Sequence, residues 1–428
     1  MNNHQVNRDR HVSDATDLLA RLRRPLASLI ALSAAAVFAG SSPALAQGSD
    51  ALQSAGAMAF GPGGLLFVGD TKGAEIHAYQ LPASDFTDQS DVSMGNARTL
   101  NGRDLVKGID VKLAALLGTT ADQIVINDMV VQQPSQQIFL SVERGRGPDA
   151  QPVIVKVNHG ELEVVDLDHV PQTVAHITNE PGADAKLEFG QSERSLAITD
   201  IEYYNGEVLV AGLSNEDFSS SLRRMRYPFD NRISTSSIEI WHSTHGEFET
   251  RAPIIRMMVH QVGGQPYLFA VYACAPLVRI PLSALADGAH VRGETIGELG
   301  YGSTPVDMMT YADPSDGKEY LLVTNDMRSA TRVAIGDLDH AVAMPVNVPK
   351  NFGPAGIAQY AMPITGAEHL KVVNPGWVVE VRRYPVNSSE LDLHTLPIPY
   401  LLDRADQIVE MNWPDGPDPF GYRTAPAK

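Results

Sequence analysis

Apolar residues along this chain come in short runs, and the runs come in pairs. Ala57-Met58-Ala59-Phe60 leads into the turn Gly61-Pro62-Gly63-Gly64 and then into Leu65-Leu66-Phe67-Val68. Pro and Gly supply the backbone angles such a turn needs, so the stretch reads as strand, turn, strand. The signature recurs at 126–142, 198–211, 255–272, 305–324 and, less clearly, 357–373. A third strand is expected at Glu75–Tyr79, Val153–Val157, Leu222–Tyr227, Leu277–Ile280, Thr331–Ile335 and Trp377–Arg382. A fourth is expected at Glu161–Leu167, Ser237–Trp241, Glu294–Glu298 and Glu390–Leu396.

Modules of about four strands, each about 40–50 residues plus insertions, are the pattern of β-propeller blades. The expected fold is therefore all-β, a propeller of six four-stranded blades, or seven if 83–125 or 168–197 holds another. Radial repetition lets many short strands stay soluble, because each blade covers its neighbour's face and few edges are left free. Two β-sandwich domains are the competing architecture. No stretch resembles an interdomain linker, so 47–428 is expected to be one domain. One helix is expected, over Leu105–Leu117, where apolar residues fall at helical spacing before Gly118.

Three of the pairs open on an aspartate in the same frame: Ile126-Asn127-Asp128, Ile198-Thr199-Asp200 and Pro305-Val306-Asp307. The start of strand one and the end of strand two of an antiparallel blade share one end of the propeller. That rule gathers Ala57, Asp128, Asp200, Arg256 and Asp307 with Asp70, Glu143, Asn215, Cys274, Asn325, Asp326 and Asn374 on a single face. Three carboxylates around one axis raise each other's pKa unless a cation, Arg256 or shared protons compensate. Hard oxygen donors select Ca2+ or Mg2+, so Asn127, Asp128, Asp200 and Asp307 form the candidate metal set. An equally simple role for each Asp is to cap its turn through backbone N–H groups. Arg256, Asp70, Glu143, Arg144 and Asn325 are candidate ligand-binding residues. Arg144 and Arg146 sit in a glycine-punctuated loop suited to gripping an anion or merely to solvation. His242 and His245 have HxxH spacing with no third ligand near in sequence, and His245 is the candidate catalytic base.

Composition narrows the function further. The net charge is -18, which argues against a nucleic-acid partner and leaves a small molecule or a protein. Cys274 is the single cysteine, which excludes an internal disulfide, a zinc–thiolate cluster and CxxCH haem attachment. No Gly-x-Ser-x-Gly elbow or phosphate-binding loop is present, so serine-hydrolase and nucleotide chemistry are not expected. Arg21, Arg23 and Arg24 precede an apolar stretch from Leu26 to Phe38, and Ala44-Leu45-Ala46 follows. This is the order of a secretory signal cleaved after residue 46, through the general or the twin-arginine route. A periplasmic or secreted mature chain without a membrane span is the expectation.

The Ala57–Asp70 unit resembles blades of NHL-type and gluconolactonase-type propellers. Asn127-Asp128-Met129 beside Val130–Glu143 resembles the Asn-Asp strand entrance by which the gluconolactonase and paraoxonase families hold a catalytic Ca2+. That resemblance implies Asn127 or Asp128, Asp200 and Asp307 as ligands, with Ala57 standing near the place of those families' glutamate. The runs Gly212–Ser220 and Tyr272–Ile280 are similar to secreted bacterial propeller-like proteins of unassigned function, the closer relationship, which implies no activity. Two functions follow as expectations. The first is an exported protein binding a cation, small ligand or protein on its acidic face. The alternative is a Ca2+-dependent lactonase or esterase in which a carboxylate or His245 activates water.

Overall fold

The computed structural model describes residues 51–98, 101–187, 190–274, 276–346, 349–383, 389–398 and 401. The expected export signal at 1–46 lies outside them. The chain begins with a three-strand meander, β1 (Met58–Phe60), β2 (Leu65–Asp70) and β3 (Glu75–Gln80). It then departs through β4 (Asp104–Val106) and helix α1 (Ile109–Leu117) to a complete meander, β5 (Ile124–Gln132), β6 (Gln137–Arg144), β7 (Gln151–Asn158) and β8 (Glu161–Val164). Strand β9 (Gln172–His176) returns to the first sheet and pairs with β3.

Next come β10 (Asp200–Tyr204), β11 (Glu207–Leu213), β12 (Ser220–Arg226), β13 (Ile233–His242) and the short β14 (Glu247–Glu249). They are followed by β15 (Ile254–Val262), β16 (Gln265–Tyr272), β17 (Pro276–Pro281) and β18 (His290–Glu298). The chain continues with β19 (Pro305–Asp313), β20 (Lys318–Asn325), β21 (Thr331–Ala334), helix α2 (Ile335–Asp339), β22 (Ala355–Gly356) and β23 (Tyr360–Ala361). It ends in β24 (Ala367–Asn374), β25 (Trp377–Arg382) and β26 (Asp392–Pro397).

The arrangement is a propeller, and it corrects the expectation of six or seven separate four-stranded blades. Four sheets are separate and four-stranded: β1-β2-β3-β9, β5-β6-β7-β8, β19-β20-β21-β23 and β24-β25-β26-β4. The strands from β10 to β18, with β22, form one ten-stranded sheet, because β13 and β18 pair in parallel and join two meanders edge to edge. The stretches 83–125 and 168–197 add no module; they deliver the outer strands β4 and β9 to sheets far away in sequence. Helix α1 starts later than its spacing predicts because Leu105 and Val106 are taken into β4. The last sheet is also displaced by one strand: 353–366 is mostly irregular, and β24 is the first strand where 357–373 was expected to hold two.

First strands pack side by side around the centre. β1 lies against β10 and β5, β10 against β15, β15 against β19, β19 against β24, and β24 against β5. Spatial order therefore departs from chain order: the β5–β8 sheet stands between the first and the last. Apolar cores fill the spaces between neighbouring meanders. Leu66 and Val68 of the first sheet meet Phe139 and Ile154 of the next, and Met129 and Leu140 meet Val379 and Leu393. This explains the continuous apolar runs at Leu65–Val68, Val208–Ala211 and Leu321–Val323, since second strands are covered on both faces.

Strand β4 docks onto β26 with Gly102 pressed against it. The Arg103 N–H donates to Thr395 Oγ1 (2.9 Å), and a Cβ on Gly102 would fall 1.6 Å from the Thr395 carbonyl oxygen. Gly102→Ala should therefore cost roughly 1–3 kcal/mol, as overpacked sites do. Urea unfolding measures it, and an unchanged midpoint would show that this docking contributes nothing to stability.

Candidate functional site

The innermost strands share a local irregularity. Pairing with the second strand slips by one residue between Ile126 and Asp128, Ile254 and Arg256, Pro305 and Asp307, and Ala367 and His369. Such a bulge bends the strand and re-aims the next side chain. Here that residue is Asp128, Arg256, Asp307 or His369. Asp200 opens β10 in the corresponding place, and Ala57 precedes Met58 in β1. Around the centre the order is Ala57, Asp200, Arg256, Asp307, His369 and Asp128, so an aspartate occupies every second position.

Each aspartate reaches sideways to the neighbouring first strand. Asp128 Oδ2 accepts the Met58 N–H (2.7 Å), and Oδ1 accepts the Met129 N–H (2.8 Å). Asp200 Oδ2 accepts the Met257 N–H (2.7 Å). Asp307 Oδ2 accepts the Leu370 N–H (2.8 Å), while Oδ1 accepts the Met308 N–H (2.8 Å) and Lys371 Nζ (2.5 Å). The intervening positions donate instead. Arg256 NH1 donates to the carbonyls of Thr199 (3.0 Å) and Ile255 (2.8 Å), and its Nε lies 3.9 Å from Asp307. His369 Nε2 bonds the Ile126 carbonyl (3.1 Å). The capping role weighed for each Asp is real, but the N–H groups it satisfies include those of the adjacent sheet.

A second tier lies two residues further on. Glu202 faces the same way as Asp200 and takes the Val259 N–H, and Lys371 faces the same way as His369. The result is four carboxylates, Asp128, Asp200, Glu202 and Asp307, around two permanent cations, Arg256 and Lys371. Burial works to raise Asp307, but Lys371 and Arg256 outweigh it and hold the acid below the ordinary carboxylate range. Burial opposes the charge of Lys371, and Asp307 and Asp128 more than restore it. Burial keeps the His369 imidazole neutral by lowering its pKa. Asp200 is pushed up to about 7 by burial, reinforced by Asp128 and opposed by Arg256. Glu202 is pushed up to about 7 by burial and by the charge of Asp200.

Of the residues expected from sequence, Asp128, Asp200, Asp307 and Arg256 meet here. Asn127 stands beside them on its bulge, its amide donating to the Ala55 carbonyl (2.7 Å). The others lie elsewhere. Asp70 closes a turn through Ser54 and the N–H groups of Gln53 and Gly73. Glu143 is raised by burial near Lys72 and Asp70. Arg144 ties the end of α1 through the Leu117 carbonyl (2.7 Å), and Asn325 bonds the Val323 and Ser329 carbonyls. His245 sits in the β13–β14 hairpin, beside the outer strand of its meander and apart from the central acids. Glu202, His369 and Lys371 were missed. For Glu202 the signal was present as strand-period spacing from Asp200.

No protein-family model matches the chain, and no curated protein matches it. Among solved structures it is similar to Kuenenia stuttgartiensis hydrazine synthase, with 10% identity and a TM-score of 0.36 over 82% of this chain and 97% of that one. It is also similar to a luciferin-regenerating enzyme, with 10% identity and a TM-score of 0.26 over 81% of this chain and 91% of that one. At these identities no activity carries over.

Two outcomes are expected at the centre. Asp307→Ala strands two buried N–H groups and takes from Lys371 the carboxylate it bonds and from Arg256 one of its counter-charges, a loss of roughly 3–5 kcal/mol. Asp128→Ala strands two N–H groups and removes a more distant counter-charge from Lys371, to which it makes no direct bond, so it should lose less, roughly 2–3 kcal/mol. Chemical denaturation ranks the two, and the reverse ranking would remove the charge argument. Raised acid pKa values stabilise the fold below the unfolded value near 4 and lose that contribution as pH rises towards 7. Melting temperature should therefore fall between pH 5 and about pH 7, by the equivalent of up to about 5 kcal/mol for the two acids together, and Asp200→Asn should flatten the slope. A slope unchanged in that variant would place the titration elsewhere.

Proposed function

We propose that this is an exported binding propeller that takes up a cation at its axis, with Asp200 and Glu202 as the carboxylates that receive it. The observation that carries the reading is the imbalance of four carboxylates against two permanent cations on strands that converge at the centre. Asp307 is already neutralised by Lys371 and Arg256 and has little to offer an ion. Asp200 and Glu202 each accept one backbone N–H from β15 and lie beside each other on β10. They fit a hard cation such as Ca2+, with Asp128, Asn127 and Asp307 completing the surroundings. We count the ten-stranded sheet as two blades fused along β13 and β18, which makes the propeller six-bladed. Residues 1–46 are read as the export signal, with a periplasmic or secreted mature protein as the outcome. No helix of the described residues is long and apolar enough to cross a membrane.

The lactonase reading has less support. Its candidate base, His245, stands in a hairpin beyond β13, three strands out from β10, or about 14 Å at ordinary strand spacing. Ala57 brings no ligand to the ring, and Lys371 projects among the acids where a substrate carbonyl would have to approach a metal.

Calcium titration of the mature protein, followed by melting temperature at pH 5.5 and pH 8, tests the proposal. Ca2+ should raise the melting temperature by several degrees at pH 8 and by less at pH 5.5, where protons compete for the same oxygens. Glu202→Gln should remove most of the effect. A protein indifferent to millimolar Ca2+ at pH 8 would overturn the cation reading.

A further inference from the structure

We propose that His242, His245 and Cys274 form a second, independent site that binds a thiophilic divalent metal, Zn2+ in the first instance. The donor atoms of these three residues lie within 4.8 Å of one another. Tetrahedral zinc with ordinary Zn–N and Zn–S bonds holds its donors about 3.3–3.6 Å apart, so side-chain adjustments of about 1 Å close the set. Two residues come from the tight β13–β14 hairpin and the third from the turn after β16, in the adjoining half of the same ten-stranded sheet.

The surroundings are those of a ligand set. Glu249 Oε1 bonds Nδ1 of His242 (2.8 Å) and also Nδ1 of His245. A carboxylate on Nδ1 fixes the tautomer that leaves the lone pair on Nε2, the arrangement by which metal-binding histidines are oriented. His242 is 1% exposed, and its Nε2 has no hydrogen-bond partner among the described residues. A buried imidazole nitrogen carrying an unused lone pair is costly unless something occupies it. The two rings lie 4.0 Å apart, centroid to centroid. Cys274 adopts a left-handed backbone conformation at φ 60°, which a residue with a side chain holds only where its surroundings impose it.

The hairpin is held from outside as well. The Gly246 N–H bonds the His242 carbonyl (2.8 Å), and Thr244 Oγ1 donates to the Asn351 carbonyl (2.8 Å). Ser243 gives its N–H and hydroxyl to Glu298 Oε1 (2.9 Å each), leaving Glu298 Oε2 buried and unpartnered among the described residues. The Glu249 carboxylate thus backs the two histidines, which favours a cation in front of them.

Another grouping, Asp70, Glu75 and His77, also has donor atoms within ligand distance. Its groups are already spoken for: Asp70 by Ser54, Gln53 and Gly73, and Glu75 by His77 and His176. The His242 cluster alone of the two leaves a buried ligand nitrogen unused. Three protein donors leave a fourth position on the metal open to water or to a small anionic ligand.

The single thiol makes the test direct. The mature chain, stripped with chelator, is titrated with Zn2+ and separately with Co2+, while Cys274 is assayed with a thiol reagent. One equivalent of Zn2+ should bind and slow Cys274 modification at least tenfold. Co2+ should give a thiolate-to-metal charge-transfer band in the near ultraviolet. Cys274→Ser should abolish that band, and His245→Ala, at a half-exposed position that the fold tolerates, should weaken binding at least tenfold. Glu202→Gln should leave all of these readings intact, which separates this site from the axial one. Unchanged thiol reactivity at saturating Zn2+, or a cobalt spectrum indifferent to Cys274→Ser, would overturn the proposal.

Discussion

The structure depends on one interaction repeated around its centre: a carboxylate on one first strand accepting a backbone N–H from the neighbouring first strand. Neighbouring first strands have no ladder between them, so their inner N–H groups would otherwise face one another unpaired. Asp128, Asp200 and Asp307 solve this at alternate positions, and Arg256 and His369 complement them by donating to carbonyls. A ring of acids and bases thus does at the axis what hydrogen-bond ladders do within each sheet. The apolar clusters between meanders supply bulk attraction without direction; the carboxylates set how one sheet is registered against the next.

That solution has an electrostatic cost, and the molecule handles it unevenly. Asp307 receives two cations and stays fully charged. Asp200 and Glu202, two first strands away on β10, bond no cation directly among the described residues; Arg256 and Lys371 offset their burial only in part, and they hold protons to about pH 7. The uneven treatment divides the ring into a sealed side and a responsive side. Binding chemistry belongs to the responsive side, because a carboxylate already bonded to an ammonium group has nothing left to exchange.

Much of this was legible in the sequence. Paired apolar runs separated by Gly and Pro located nearly every first and second strand, and the recurrent Asp marked true structural equivalents. Even the alignment of Ala57 and Arg256 with the aspartates was readable from strand starts. Three features were hidden for physical reasons. His369 and Lys371 were lost because the irregular stretch before β24 contains enough apolar residues to imitate a strand, shifting the last sheet by one. The fusion of β13 with β18 depends on parallel edge pairing, which leaves no turn signal between the partners. The departure of ring order from chain order is set by where β4 and β9 dock, and three- and five-residue strands carry almost no periodicity. Cys274 was visible as the one thiol, but its approach to His242 and His245 needs the ten-stranded sheet.

The placement of the β5–β8 sheet has a consequence for assembly. It sits between a partner synthesised before it and one synthesised after every other sheet, and it is flanked by β4 and β9, which belong to those same two partners. Neither end of the chain can therefore seal the circle by itself. The flank of the β5–β8 sheet that meets β24 is covered by strands far along the chain, so closing the circle joins elements of high sequence separation rather than consecutive meanders.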